Sequence, residues 1–345
     1  VYSNRRMNNS DVPTFVRPDQ DSTGLPNGYI AGTVRQSRLG LTVSNVRALG
    51  ALLSGELQLD FFGGQLAGAR THPLLRVRTA VARLDWPYFG VLIGQESPLV
   101  SPHNPVSFAA SGFPGFTAAG NLWLWIPQLR ATYERGHRFR IGIQAAALAP
   151  TMNQTPGNFS IEADSAEKSG RPSLQGRFYF GWGEGDTESQ FGVGVHRGWI
   201  ATATADLITS RAVTLDWRLA LGEHFLVHGE AFLNGQALGG LGGGGIGQTL
   251  GPNAVPVRTR GGWVQVNIRP SFLWEFGGGY GMDDPNEADL NQVTGRGRNV
   301  VISGHLHLRA GGGLLLGAEL RRITTSFPQG DIGANHASVF AGVAF

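Results

Sequence analysis

At 345 residues without a cysteine, the chain is long enough for two ordinary domains or one large all-β unit, and it has neither a disulfide framework nor thiolate metal ligands. Its 52 glycines, about twice the usual share, follow no Gly-X-Y period, which excludes collagen and implies many turns and closely approaching strands. The formal charge is +3, and every basic residue except Lys168 is arginine; scattered among acids, these arginines do not form a nucleic-acid surface.

No stretch offers the ~18–20 continuous apolar residues of a transmembrane helix. The opening VYSNRRMNNS lacks the apolar centre of a signal peptide, so an exported protein of this sequence is expected to have lost its signal already. What the chain offers instead is period two. Leu53, Leu57 and Leu59 alternate with Ser54, Glu56, Gln58 and Asp60, and Val77 and Val81 stand against Arg76 and Arg78. Further on, Phe139, Ile141 and Ile143 alternate with Arg138, Arg140 and Gln144, and Phe178 and Phe180 with Arg177 and Tyr179. Strands with one apolar and one polar face are predicted near 35–45, 50–62, 73–85, 88–95, 121–134, 137–149, 172–183, 189–199, 209–220, 224–235, 259–269, 272–281, 296–310, 313–326 and 335–345.

These segments are about twice the length of soluble strands, which average ~5–6 residues. Short connections alternate with long ones: residues 134–137 are tight, 150–172 long, 184–189 short and 236–260 long. Aromatic residues gather near segment ends, as in Trp86 with Tyr88, Trp123 with Trp125, and Trp182, Trp199, Trp217 and Tyr280. The last segment runs Ala337, Val339, Ala341, Val343 to a terminal Phe345. Together these features predict an all-β, transmembrane antiparallel β-barrel of the bacterial outer membrane, one domain over 1–345, in contact with outer-membrane lipid and lipopolysaccharide. Single-chain barrels carry an even number of strands. The fifteen segments therefore predict about 16, the first truncated and ending near Arg6, with residues 8–30 as the first outer loop.

On that numbering the long stretch QESPLVSPHNPVSFAASGFPGFTAAG (95–120) is the third outer loop, predicted to fold inward. Glu96, His103, Phe108, Phe113 and Phe116 are its candidate constriction residues. From Ser97 to Gly120 it has neither acid nor arginine, so it is expected to act as an apolar wedge. Charge selection then falls to the polar parity of the wall, where Arg38, Glu56, Arg76, Arg78, Arg130, Arg177, Glu319 and Arg321 fall near mid-height and Arg138 and Arg140 lower. A ring of guanidinium groups in a water-filled pore raises the local anion concentration.

Several motifs resemble those of the DcaP-like trimeric porins. RQSRLGL (35–41) resembles their QSRLG strand, and GELQLDFFGG (55–64) is similar to their GE-x-x-x-DFFGG strand. Gly94-Gln95 with IPQLR (126–130) looks like the frame of their third loop, and GMDDP (281–285) resembles a loop start in related porins. The resemblance implies a sixteen-stranded homotrimer passing small anionic solutes, dicarboxylates among them. The coiled coil that the family carries before the barrel is not in these residues, and Glu96 stands where Trp often follows Gly-Gln.

Other readings are weaker on the residues. A barrel-borne lipase or protease needs Ser or Asp beside His with a third orienting group, and the register brings no such set together by inspection; a largely structural barrel is the remaining alternative. His305 and His307 share a face, but no carboxylate lies near them in sequence, so they read as lumen-lining. Glycines 239–247 lack a GK[ST] ending and read as a mobile loop. No cofactor is implied. Asp283 and Asp284 are weak candidates for a structural calcium on the outer loops.

Overall fold

The computed structural model describes residues 1–18, 27–63, 73–110, 112–152, 163–204 and 206–345. Two short strands, β1 (Tyr2–Ser3) and β2 (Tyr29–Ile30), precede β3 (Arg38–Ala48), β4 (Ala51–Asp60), β5 (Arg76–Asp85), β6 (Phe89–Glu96), β7 (Ile126–Gly136) and β8 (Phe139–Leu148). After them come β9 (Ser173–Trp182), β10 (Ser189–Ala201), β11 (Leu207–Leu221), β12 (Phe225–Gln236), β13 (Arg258–Ile268), β14 (Trp274–Pro285), β15 (Arg298–Arg309), β16 (Leu314–Phe327) and β17 (Gly330–Val343). From β3 to β17 every strand pairs antiparallel with its neighbour in sequence.

β1 pairs with β17 through Tyr2↔Ala337 and with β2 through Tyr2↔Ile30. It therefore stands between the last strand and the second wall position. β2 and β3 run in the same direction and form one interrupted wall position, so the seventeen segments fill sixteen places. The fifteen predicted strands are β3 to β17, and β1 occupies the place of the incomplete first strand. Where that strand is short, the neighbouring edge is uncovered: Arg38 to Arg47 of β3 are exposed on both parities.

Two boundaries moved by five residues. Residues 121–125, predicted as the start of a strand, belong to the preceding loop, and β17 begins at Gly330 rather than 335. Parts of the predicted long loops (19–26 and 153–162) and Gly64 of the GELQLDFFGG motif lie outside the described residues.

The faces of the sheet are inverted relative to a water-soluble sandwich. Along β10 the outward Phe191, Val193 and Val195 are exposed, while the inward Gly192, Gly194 and His196 are buried. Asp216, Glu275, Asp283 and His307 have no exposed surface at all. A continuous apolar exterior around a polar, buried interior is unfavourable in water and favourable in a bilayer. Aromatic residues sit where the outward faces meet the short turns, with Phe139 stacked on Phe180 and Trp274 on Phe276. Trp123 and Trp125 are corrections to the predicted girdle: both are buried inside, in the loop before β7.

Val195 lies midway along β10, on the outward face. Val195→Arg is expected to destabilise the folded protein by ~2–4 kcal/mol in denaturant titrations in phospholipid bilayers. A change within about 0.5 kcal/mol, as for an ordinary water-exposed site, would contradict a lipid-facing exterior.

Candidate pore constriction

The loop between β6 and β7 turns into the barrel and runs along its inner wall. Lacking regular structure, it must find partners for its backbone groups elsewhere. The wall supplies them. Glu230 on β12 accepts from Ser101 Oγ (2.5 Å) and the His103 amide (2.6 Å), and Trp263 Nε1 reaches the same carboxylate at 3.3 Å. Gln265 on β13 holds Val106 at both ends, accepting from its N–H at 2.6 Å and donating to its C=O at 2.9 Å. Glu319 on β16 accepts from Ser107 Oγ (2.7 Å) and from the amides of Phe108 (2.8 Å) and Ala109 (3.0 Å).

Farther round, Gln36 bonds Ala109 O and the Gly112 amide, Arg76 donates to Gly112 O, and Asn299 donates to Ala118 O at 2.8 Å. Arg130 closes the loop at its root by donating to Ser97 O (2.6 Å), where Glu96 accepts from the Ser97 amide (2.7 Å).

Aromatic contacts fix the loop's height. Phe116 stacks on Trp263 with centroids 5.9 Å apart, Phe108 lies 4.5 Å from the His307 ring, and Phe113 meets Phe62 (5.5 Å) and Trp123 (5.4 Å). At Gly120 (φ +99°) the chain presses on Gly262 of β13, where an added Cβ would lie 2.3 Å from Gly262 O. The apolar wedge is thereby corrected in part: Phe116 is buried against the wall rather than presented to the lumen.

The glycine run 239–247 is also not a mobile loop. Leu238, Leu241 and Ile246 are buried, Leu124 N donates to Leu241 O (3.1 Å), and Asp283 accepts from the amides of Gly245 (3.1 Å) and Ile246 (2.9 Å). Asp283 thus points inward as a latch. Asp284 points outward and pairs with Arg260 at 2.8 Å. Consecutive strand residues face opposite sides, so the two do not form a shared calcium site.

Apart from Arg130 at the loop root, the predicted arginines separate into three groups. Arg38 and Arg76 are the cross-strand neighbours of Asp60, on β3 and β5 respectively. Asp60 pairs with Arg76 at 2.6 Å and Arg78 at 3.1 Å, and Arg78 lies 4.2 Å over the Trp125 ring. Taken alone, these three guanidiniums and one carboxylate sum to +2 (3 − 1). Glu56, on the same face, accepts from Thr79 at 3.0 Å.

In the second group the charge is cancelled. Arg177 makes a two-toothed pair with Asp216 (2.8 and 2.6 Å), with His103 Nε2 3.4 Å from the same carboxylate. Arg321 pairs with Glu319 at 3.2 Å. The third group is at the short-turn rim, where Arg140 meets Glu188 at 2.5 Å and Arg138 is exposed in the β7–β8 turn. Those two are away from the loop. The prediction missed Asp60 as a hub and Glu230, Gln265 and Gln36 as anchors. Asp60 shares the parity of Glu56 and Gln58, which is the one signal that could have found it.

In the outer loop after β14, Arg258 donates twice to Asp289 (2.8 Å each) and this hydrogen bonding holds the Asp289 carboxyl below its usual range.

No family model matches the chain, and no curated protein does. Among solved structures it is similar to the outer membrane channel DcaP of Acinetobacter baumannii, with TM-score 0.74 and 16% identity, covering 100% of this chain and 93% of that one. It is similar also to an anion-selective porin from Comamonas acidovorans (TM-score 0.53, 15% identity, 90% and 92% covered) and to the trimer form of OmpT from Vibrio cholerae (0.50, 11%, 88% and 91%). The fold is therefore that of an outer-membrane porin.

A hydrogen bond contributes ~0.5–1.5 kcal/mol net, and leaving its buried partner unsatisfied costs ~1–3 kcal/mol. Glu230→Ala removes the acceptor for Ser101 and His103, and is expected to loosen the loop and give a larger, noisier single-channel conductance in planar bilayers. An unchanged conductance would mean that this anchor does not hold the constriction.

Proposed function

We propose that the chain is a passive diffusion channel of the bacterial outer membrane, a homotrimer whose constriction favours small anions, dicarboxylates among them. The observation that carries this reading is the cluster of Arg38, Arg76 and Arg78 around Asp60, facing a loop that between Ser97 and Gly120 contributes no acid. A fixed excess of guanidinium charge attracts anions into a narrow, partly desolvated passage and repels cations. Arginine's planar fork also matches a carboxylate's two oxygens, whereas lysine offers a point charge. The anion-selective and trimeric porins of similar fold support the reading by analogy.

The lipid partner has its own support. On the outward face near the outer rim, Arg197 stands directly opposite Arg211, an unfavourable like-charge pairing by itself. The two border a groove of about 1600 Å³ that also reaches the outward Val195, Val213 and Leu233. Guanidiniums above an apolar wall suit a phosphorylated lipid headgroup with its acyl chains below.

The enzyme reading meets one specific observation. His196 Nε2 lies 3.1 Å from Ser210 Oγ, which has the form of a base and nucleophile. The third group is the neutral amide of Gln175, 3.2 Å from Nδ1, and the adjoining cavity measures about 20 Å³, room for a single water. Among the described residues, neither a carboxylate to stabilise an imidazolium nor space for substrate is provided.

Replacing Arg76 and Arg78 together by Ala takes the summed charge of Arg38, Arg76, Arg78 and Asp60 from +2 to 0. The reversal potential across a salt gradient is expected to show anion preference in the parent, and in the double variant a permeability ratio near that of an unselective aqueous pore. A cation-preferring parent, or a variant indistinguishable from it, would overturn the assignment of selectivity to this cluster.

A further inference from the structure

We propose that Glu275, His305 and His307 form a closed site for one divalent transition-metal ion of the zinc type, built into the lumen wall toward the short-turn end. The antiparallel register assembles it: His307 stands directly opposite Glu275, and His305 opposite Gly277, so two imidazoles and a carboxylate meet on one inward patch of β14 and β15. Their ligand atoms all lie within 4.8 Å of one another. The side chains are 4%, 0% and 0% exposed for His305, His307 and Glu275.

The distances are those of shared coordination rather than of hydrogen bonding. Glu275 Oε1 is 3.6 Å from both His305 Nε2 and His307 Nδ1. That is too long for a hydrogen bond. Two ligands each ~2.0–2.1 Å from a tetrahedral zinc stand roughly 3.3–3.4 Å apart, so each 3.6 Å separation is close to one edge of a coordination tetrahedron. All three atoms are buried and have no hydrogen-bond partner. An ion between them would satisfy all three at once, and leaving them unsatisfied is costly.

The surroundings are those of a built site. His307 turns its other nitrogen, Nε2, to Glu319 Oε1 at 3.3 Å, the carboxylate–histidine arrangement that orients a metal-bound imidazole. The second oxygen of Glu275 is held by Arg269 (2.5 Å) and Arg309 (3.2 Å), leaving Oε1 aimed at the histidines. A fourth ligand is at hand in Asn267 Oδ1, also buried and without a donor. The absence of a side chain at Gly277 makes the room: a Cβ there would lie 2.5 Å from His305 Nε2 and 2.8 Å from Asn267 Oδ1. Because Glu319 also carries Ser107, Phe108 and Ala109, the ion would brace the wall that holds the loop.

The test uses the full chain, untagged, folded in detergent, stripped with a chelator and titrated with Zn(II) and with Co(II) as a spectroscopic probe. One ion per protomer and the visible absorption of four-coordinate Co(II) are expected. His305→Ala and His307→Ala should each lose more than about ten-fold in affinity, and Glu319→Gln, which removes the charge on the outer partner, about 10–100-fold. Replacing the exposed His137 and His224 should leave binding unchanged. Correct folding of each variant is checked by its heat-modifiable mobility on gels. No ion bound by the parent protein at micromolar Zn(II), or binding that survives loss of both His305 and His307, overturns the proposal, as does binding that vanishes with His137 and His224. Conductance of the parent does not depend on this outcome, so failure here leaves the channel reading intact.

Discussion

The constraint on which the structure depends is that a bilayer offers no hydrogen-bond partner to a peptide group. Strands therefore give their N–H and C=O groups to neighbours, which is why each strand from β3 to β17 pairs with the next and why the two residues of β1 bridge β17 and β2. The same medium turns the usual distribution of side chains inside out. On the strands, leucines and valines mostly face outward, and most buried charged residues lie in the lumen, where they pair with one another and with the loop.

An interior so polar is what allows a long irregular loop to lie within it. The segment after β6 brings unpaired amides and carbonyls, and the wall meets them with carboxylates and side-chain amides: Glu230, Gln265, Glu319 and Gln36. Glu319 holds the loop and pairs with Arg321 at once, and Asp216 pairs with Arg177. Arg76 and Arg78 both pair with Asp60, which has Arg38 as its neighbour on the next strand.

Much of this was legible in the order of residues. Period-two alternation located all fifteen long strands, because a side chain's face in a strand follows from its parity alone. The inward loop was visible as a long proline-rich gap. Where prediction failed, the cause was contact between distant segments. Trp123 and Trp125 look like girdle residues by spacing, yet Phe113 and Arg78 draw them inside. The glycine run reads as mobile until Asp283 and Leu124 are found pinning it.

By itself, then, the sequence determined the barrel, the approximate number of its strands, the face each residue presents and the position of the inward loop, since all of these follow from local periodicity and loop length. Only the tertiary structure decided which charges cancel and which groups meet. Arg177 is paired with Asp216, whereas Arg76 and Arg78 both pair with Asp60, beside Arg38 on the next strand. Glu275 is 30 and 32 residues before the two histidines it faces, and only the register of β14 against β15 brings the three together. Register depends on how strands slide to pair their backbones and pack the lumen, and no pattern within one strand encodes its partner's offset.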